Sequence, residues 1–378
     1  MFNIRYSKHL SLTTLLLCAA LLGMTACAQL EKTKSKTSQD TSLVFPSPPD
    51  EPRFVYEQTI GSSADVETEK SNSQLKELLT GEGAASGDPI RKPYGVAVHK
   101  GRIFVSDSVS RIVRVFDVAQ GRFFIIGDNE PGLLMKPLGL DVDAAGNLYV
   151  ADISAKYIMV YDRDGKFLRK VGGPSFFARL TSASVDKQGE RIYAVDIGGS
   201  IVSKPENHRV RVFNAKTGEH LFDFGKRGTG PGEFNLPRDL AVGKDGNLYV
   251  VDGGNFRIQV FTKDGKYIKS FGQLGSRTGD LGRPKEIDID GAGNVYVVDS
   301  SFGNIQIFNS GGELLMFIGF RSEDPGPAHF LLPEGIAVDE DGRIYVADQW
   351  YRKIDIFRPV GLGANEGYLR MKAPKVKK

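Results

Sequence analysis

The sequence predicts an all-β fold: six four-stranded antiparallel sheets set around one axis as the blades of a β-propeller. Three observations predict it. First, an Asp closes six similar apolar runs, "IFVSD", "LYVAD", "IYAVD", "LYVVD", "VYVVD" and "IYVAD". These are Asp107, Asp152, Asp196, Asp252, Asp299 and Asp348, spaced 45, 44, 56, 47 and 49 residues apart, a period that marks a repeat architecture. Second, each unit holds four short runs of β-branched and aromatic residues bounded by Gly-containing turns such as "KDGN" and "RDGK". Such runs are strands, and Gly supplies the positive φ that tight hairpins need. Third, the second and third runs of each unit, as in "LYVV" and "IQVF", are almost continuously apolar. A strand of that kind is covered on both faces, here by the sheets on either side.

Residues 1–26 read as an export signal. Arg5 and Lys8 precede the apolar stretch Leu10–Gly23, which is shorter than the roughly 20 residues a membrane-spanning helix needs. The stretch ends in "MTACAQ", whose small residues before Cys27 resemble a bacterial lipobox, so Cys27 is expected to be lipidated. Each buried methylene of an acyl chain contributes about 0.8 kcal/mol, and several chains on one residue would anchor firmly. Cys18 leaves with the signal, so no disulfide is available and burial alone must stabilise the fold. Residues 27–52, rich in Lys, Thr, Ser and Pro, are expected to be a flexible tether.

The propeller is assigned to 53–361. A first strand follows a Pro in five units, and Leu180 takes that place in the third. Fourth strands ending in Gly follow in the first five units, but the sixth runs on into "RPVGLGANEG". The orphan "RFVYEQTIG", at Arg53–Gly61, has the same ending and is expected to complete blade six and close the ring. Its rival for that place is "GYLRMK" near the C-terminus. Residues 67–81 are expected to form a short capped helix over one face.

The net charge is +3, falling to +1 without Arg5 and Lys8. It falls to −4 without the five charges of the last nine residues. The excess sits in the tail, 362–378, which is expected to be solvated. A nucleic-acid partner is therefore not expected.

The turns "NHR" (Asn207–Arg209) and "NFR" (Asn255–Arg257), the "VVD" Asp and the lead "P-x-x-(I/L)-A-V-D-x-D-G" resemble NHL repeats over roughly Arg53 to Val360. The chain as a whole is similar to bacterial NHL-repeat lipoproteins. The resemblance implies a monomeric six-bladed propeller on the periplasmic face or outer membrane, and an accessory role in envelope complexes, including cytochrome-containing ones.

Strand order places the loops before strand one and after strand two on a single face, and function concentrates on such loops. Trp350 and Tyr351, with Arg352 beside them, stand where Gly or Asn is ordinary and are expected to anchor an interface. The residues after the lead Pro should surround the channel mouth. Tyr94 is uncharged, whereas Arg238–Asp239, Lys285–Glu286 and Glu334 make blades four to six charged, as adjacent pairs that can neutralise one another. Deeper in, Asp141 and Asp288 replace Ala or Ser on opposite blades and are candidate ligands for a divalent cation. No other cofactor is expected. The six repeat aspartates are expected to hold loop amides, or the basic residue that opens strand three (Arg209, Arg257, Lys353).

The reading is therefore an exported, lipid-anchored scaffold that binds an envelope protein or peptide and is not itself an enzyme. Two alternatives accompany it. One is a metal-dependent lyase or lactone hydrolase at the channel mouth, and the other an extracytoplasmic ligand sensor. A peptide-amidating lyase of similar fold uses several zinc-binding histidines. Here His99 and His220 fall on one face and His208 and His329 on the other.

Overall fold

The computed structural model describes residues 43–67, 87–198, 208–364 and 366–369. Cys27, the export signal, most of the 27–52 stretch, nearly all of the expected 67–81 helix and the tail from 370 lie outside these residues.

Five blades use consecutive strands. Blade one comprises Pro93–His99, Arg102–Asp107, Ile112–Asp117 and Arg122–Ile126, and blades two to five repeat that order. Blade six takes Pro333–Val338, Ile344–Asp348 and Lys353–Pro359, and its fourth strand is Phe54–Ile60. Register runs from Phe54↔Pro359 to Ile60↔Ile354. The N-terminal strand thus closes the ring. Beyond it, Val44–Phe45 adds a fifth short strand paired with Val55 and Phe54, so the end of the expected tether belongs to the sheet. The described part of the rival segment, 367–369, forms no strand. Its Leu369 is buried in an apolar cluster with Val66, Ile90 and Ile103, and the Glu366 carbonyl accepts from Arg343. This part of the chain after 361 is therefore packed rather than solvated.

Apolar side chains fill the space between neighbouring blades. Phe104, Val113 and Val115 of blade one meet Leu148, Val150 and Met159 of blade two, and similar clusters follow around the ring. Each loop entering the next blade adds a plug: Leu134, Phe177, Phe234, Leu281 and Phe330, all essentially buried. The Gly that ends each outer strand makes room for it. Gly225, at φ +83°, would place a Cβ 2.2 Å from the Phe234 ring, and Gly172, at φ +81°, would place one 2.2 Å from Phe177. The repeated terminal Gly is thus needed both for its left-handed backbone and for the close approach of the plug.

Ring closure also carries a buried ion pair. Arg343 is fully buried, and its guanidinium donates to Glu57 on the closing strand at 2.8 Å and to Asp341 at 3.3 Å. Removing one partner of a buried pair leaves an uncompensated charge. Glu57→Ala is expected to lower the unfolding free energy by about 3 kcal/mol in urea titration, against less than about 0.5 kcal/mol for the exposed Glu51→Ala. Equal effects would show that the closing strand is not held this way.

Candidate functional site

Each blade presents its first strand to the axis, and no further strand pairs with that inner edge. Side chains take the place of the missing ladder. Asp141 Oδ1 accepts from Val142 N (2.7 Å) and Oδ2 from Val185 N of the next blade (3.0 Å). Asp288 does the same with Ile289 N (2.8 Å) and Val338 N (2.7 Å). Asp239 accepts from Ser182 Oγ (2.6 Å) on one side and Ile287 N (3.1 Å) on the other. Glu286 Oε2 accepts from Ile336 N at 3.3 Å. Ser106 and Ser184 donate to the Leu138 and Leu240 carbonyls, both at 2.6 Å.

The lopsided mouth follows from this arrangement. In blades one, two and six the inner strands approach too closely for a side chain. A Cβ on Gly95 would lie 2.8 Å from the Leu138 carbonyl oxygen, and one on Gly335 would lie 2.2 Å from that of Tyr94. In blades three to five the same position carries Ser182, Asp239 and Glu286, which bridge the wider gaps. The expected neighbour pairs do not form. Lys285 is ion-paired with Glu334 of the next blade rather than with Glu286, and Asp239 is held by Ser182 rather than by Arg238. Lys285, Glu286, Glu334 and Asp239 are all buried, so the mouth on the loop face is shut. One oxygen each of Glu286 and Glu334 is left without a hydrogen-bond partner.

Burial sets the electrostatics. It pushes Asp239 up to about 7 and Asp288 up to about 6, raises Asp141, and raises Glu286 well above the carboxylate range. It also drives up the Tyr94 phenol, helped by Glu334 and Glu286, and draws Lys285 down despite Glu334. A narrow cavity of about 50 Å³ runs between Asp141, Asp239, Glu286 and Asp288, room enough for a few waters. It widens towards the opposite face, the face of the tight turns, where a vestibule of about 830 Å³ opens.

Sequence reasoning missed Lys187, which lines both spaces from the "DKQG" turn of blade three. Burial lowers its ammonium, but Asp141, Asp288, Glu340 and Asp143 outweigh that and hold it above its ordinary value. Both Asp141 and Asp288 thus direct their oxygens at amides and have Lys187 as a nearby positive charge. Among the described residues, no three His, Cys, Asp or Glu side chains converge as a metal site. His99 lies 3.3 Å from Glu340, and His220 lies 2.7 Å from Asp223. His208 Nδ1 accepts from Leu236 N, and burial lowers its pKa.

The repeat aspartates are fully buried and hold the entering loops. Asp107 accepts from Arg91 N, Asp152 from Lys136 N, Asp196 from Arg179 N, Asp252 from Asn235 N, Asp299 from Arg283 N and Asp348 from Leu332 N. Arg257 bonds Asp252 at 2.9 Å, and Arg209 lies 3.6 Å from Asp196. Lys353 departs from that pattern and bonds Asp355 and the Gly326 carbonyl instead.

Trp350, Tyr351 and Arg352 divide their roles. Trp350 is 64% exposed and Arg352 is exposed, whereas Tyr351 is half-buried and donates to the Ser322 carbonyl at 2.9 Å. Arg238 is half-buried at the rim of the mouth. Other apolar side chains are exposed on loops of the same face, including Val109, Met135, Leu274 and Phe320.

The raised carboxyls predict a pH dependence. Folded Asp239 keeps its proton up to about 7, against 3.8 for the free group, so over that range the folded state binds more protons and stability falls as pH rises. Asp239→Asn keeps a hydrogen-bonding side chain without the charge. It is expected to melt higher than the parent at pH 8, with the advantage shrinking towards pH 4. An advantage that grows on acidification would contradict the assignment.

Two segments, 234–261 and 330–353, match the NHL repeat family model. NHL repeat-containing protein 3 is 48% identical over 44 residues in its Homo sapiens form, covering 12% of this chain and 13% of that one. The Mus musculus form is 35% identical over 91 residues, covering 24% of each chain. The chain therefore spans well under half the length of these relatives. Among solved structures, a Bacteroides thetaiotaomicron protein of unknown function aligns with a TM-score of 0.59 at 19% identity, covering 81% of this chain and 76% of that one. A gluconolactonase from Xanthomonas campestris aligns at 0.54 and 17%, covering 71% and 86%. A streptogramin B lyase aligns at 0.50 and 15%, covering 72% and 95%. At these identities each shows the shared fold alone. With the six blades and the closing strand, the chain is a six-bladed β-propeller that carries matched NHL repeats in blades four and six.

Proposed function

We propose that this protein is an exported propeller, lipid-anchored through Cys27, that docks an envelope protein or peptide on its loop face. The observation that carries the reading is the distribution of free side chains on that face. Its central mouth is shut by Lys285 and Glu334, while Trp350, Val109, Met135, Leu274 and Phe320 stand exposed on loops around it. Exposed apolar groups set among polar ones mark an interaction surface. Trp, Tyr and Arg are enriched among the residues that dominate binding energy at interfaces.

The test is a pull-down of the tagged full-length protein from detergent-solubilised envelopes, beside Trp350→Ala and Arg238→Ala. A stoichiometric partner captured by the parent and lost from both variants is expected, and no Trp350-dependent partner would sink the reading. Separately, Cys27→Ser is expected to move the protein from the membrane to the soluble fraction. If it stays on the membrane, the anchor is elsewhere.

A further inference from the structure

We infer that the vestibule on the turn face, with the narrow cavity beneath it as its neck, is a binding site for primary ammonium groups. The site goes beyond the docking reading and lies on the opposite face, so neither result of the pull-down bears on it.

The vestibule, of about 830 Å³, narrows into the neck of about 50 Å³. Val98, Val142, Val242, Ile289 and Val338 line both spaces and give the junction an apolar wall suited to methylene chains. The collar above is polar, and acids outnumber bases there by seven to five. One of the five bases, Arg191, is itself offset by Asp264 at 2.8 Å. The acids differ in what they have left to offer. Asp143 and Asp290 accept two bonds on each oxygen, all from their own turns. Asp339 and Glu340 are bonded to their neighbours. Asp186 and Asp245 accept only one bond on each oxygen. The Glu190 carboxylate is exposed and accepts none among the described residues. An ammonium brings three donors and no acceptor, which matches these free lone pairs.

The neck supplies an independent observation. Glu286 lines it and is 6% exposed, and its Oε1 has no hydrogen-bond partner among the described residues. A buried acceptor without a donor is costly, and a donor entering the neck offsets that cost. The chain itself shows which charge the neck favours. Burial disfavours the Lys187 ammonium, yet Asp141, Asp288, Glu340 and Asp143 hold it above its ordinary value. Lys187 stands on an exposed turn and makes no ion pair among the described residues. The carboxylates therefore act on it as a field rather than through a bond, and it competes with an incoming ammonium instead of sealing the neck.

Two sources carry this chemistry: a free polyamine, and the stretch Arg370–Lys378 of this chain, with four lysines, one arginine and no acid. The last described residues lie beside the collar. Tyr368 N donates to Asp341, and a Cβ on Gly101 would lie 2.2 Å from the Tyr368 carbonyl oxygen. Glu340 and Lys100, next in sequence to those two residues, line the vestibule.

The experiment is calorimetric titration of spermidine into the full-length protein, with citrate as its anionic counterpart. Spermidine is expected to bind and citrate is not. Glu190→Lys should weaken spermidine about tenfold. Glu323→Lys, the same charge change at an exposed site on the loop face, should leave it unchanged. Lys187→Met, which removes the competing ammonium, should tighten it about tenfold. All three sites are exposed, and unchanged thermal melting confirms folding. A full-length variant with Arg370, Lys372, Lys375, Lys377 and Lys378 changed to Gln separates the two sources. Tighter spermidine binding to that variant assigns the site to the chain's own cations, and equal binding assigns it to a free amine; each supports the ammonium site. Citrate binding, spermidine binding that ignores Glu190→Lys or is not tightened by Lys187→Met, or no binding to either the parent or the five-Gln variant would overturn the inference.

Discussion

The structure depends on a problem that every blade shares: the first strand of each sheet is an edge strand facing the axis. Six sheets fanned around a centre cannot pair with one another there, so their inward N–H groups have no ladder partner. An unpaired buried amide is costly. The chain solves this with side chains that reach from one blade to the next. Asp141, Asp239, Glu286 and Asp288 accept from amides of the following blade, and Ser106 and Ser184 donate to its carbonyls. These contacts satisfy the open edges and fix the rotation between blades in the same step. Where the strands come too close, Gly95, Gly139 and Gly335 allow direct approach.

That solution determines the electrostatics of the centre. Four carboxyls are drawn into a narrow space of low polarity, and burial raises every one of them. Such shifts are often a sign of catalysis. Here hydrogen bonding to edge amides accounts for the placement of the groups, and Lys187 and Lys285 bring positive charge to the two ends. A polarised channel is therefore what this architecture produces on its own.

What the sequence made legible was local or periodic. Strand runs, turn glycines and the repeated Asp repeat within each unit, and the orphan at Arg53–Gly61 betrays itself by carrying an ending that blade six lacks. What was not legible depends on the distance between blades. Nothing in the "RD" and "KE" dipeptides says that Lys285 turns to Glu334 or that Asp239 turns to Ser182, because both choices are set by gaps between strands some 50 residues apart in sequence. Lys187 is one turn lysine among several, and only the narrowing of the channel singles it out. Loop aromatics divide in the same way. Phe177, Phe234 and Phe330 are plugs because a left-handed Gly lies beneath each, whereas Trp350 has no such socket and stays in solvent.

The same division separates what is committed from what is free. Central carboxylates are tied to amides, repeat aspartates to entering loops, and plug rings to glycines, so each is part of the packing of blades. The loop tips are not bound in this way. Arg111, Lys156 and Arg352 keep charged side chains in a backbone conformation that Gly303 adopts more easily. Trp350 exposes the largest apolar surface of any side-chain type beside one of them. Arg111 and Lys156 offset part of that strain by donating N–H to the Asp107 and Asp152 carbonyls at 2.8 and 2.7 Å, which closes their loops. The exposed ring of Trp350 is offset by no hydrogen bond or ring contact among the described residues, and the partner proposed for the loop face would cover it.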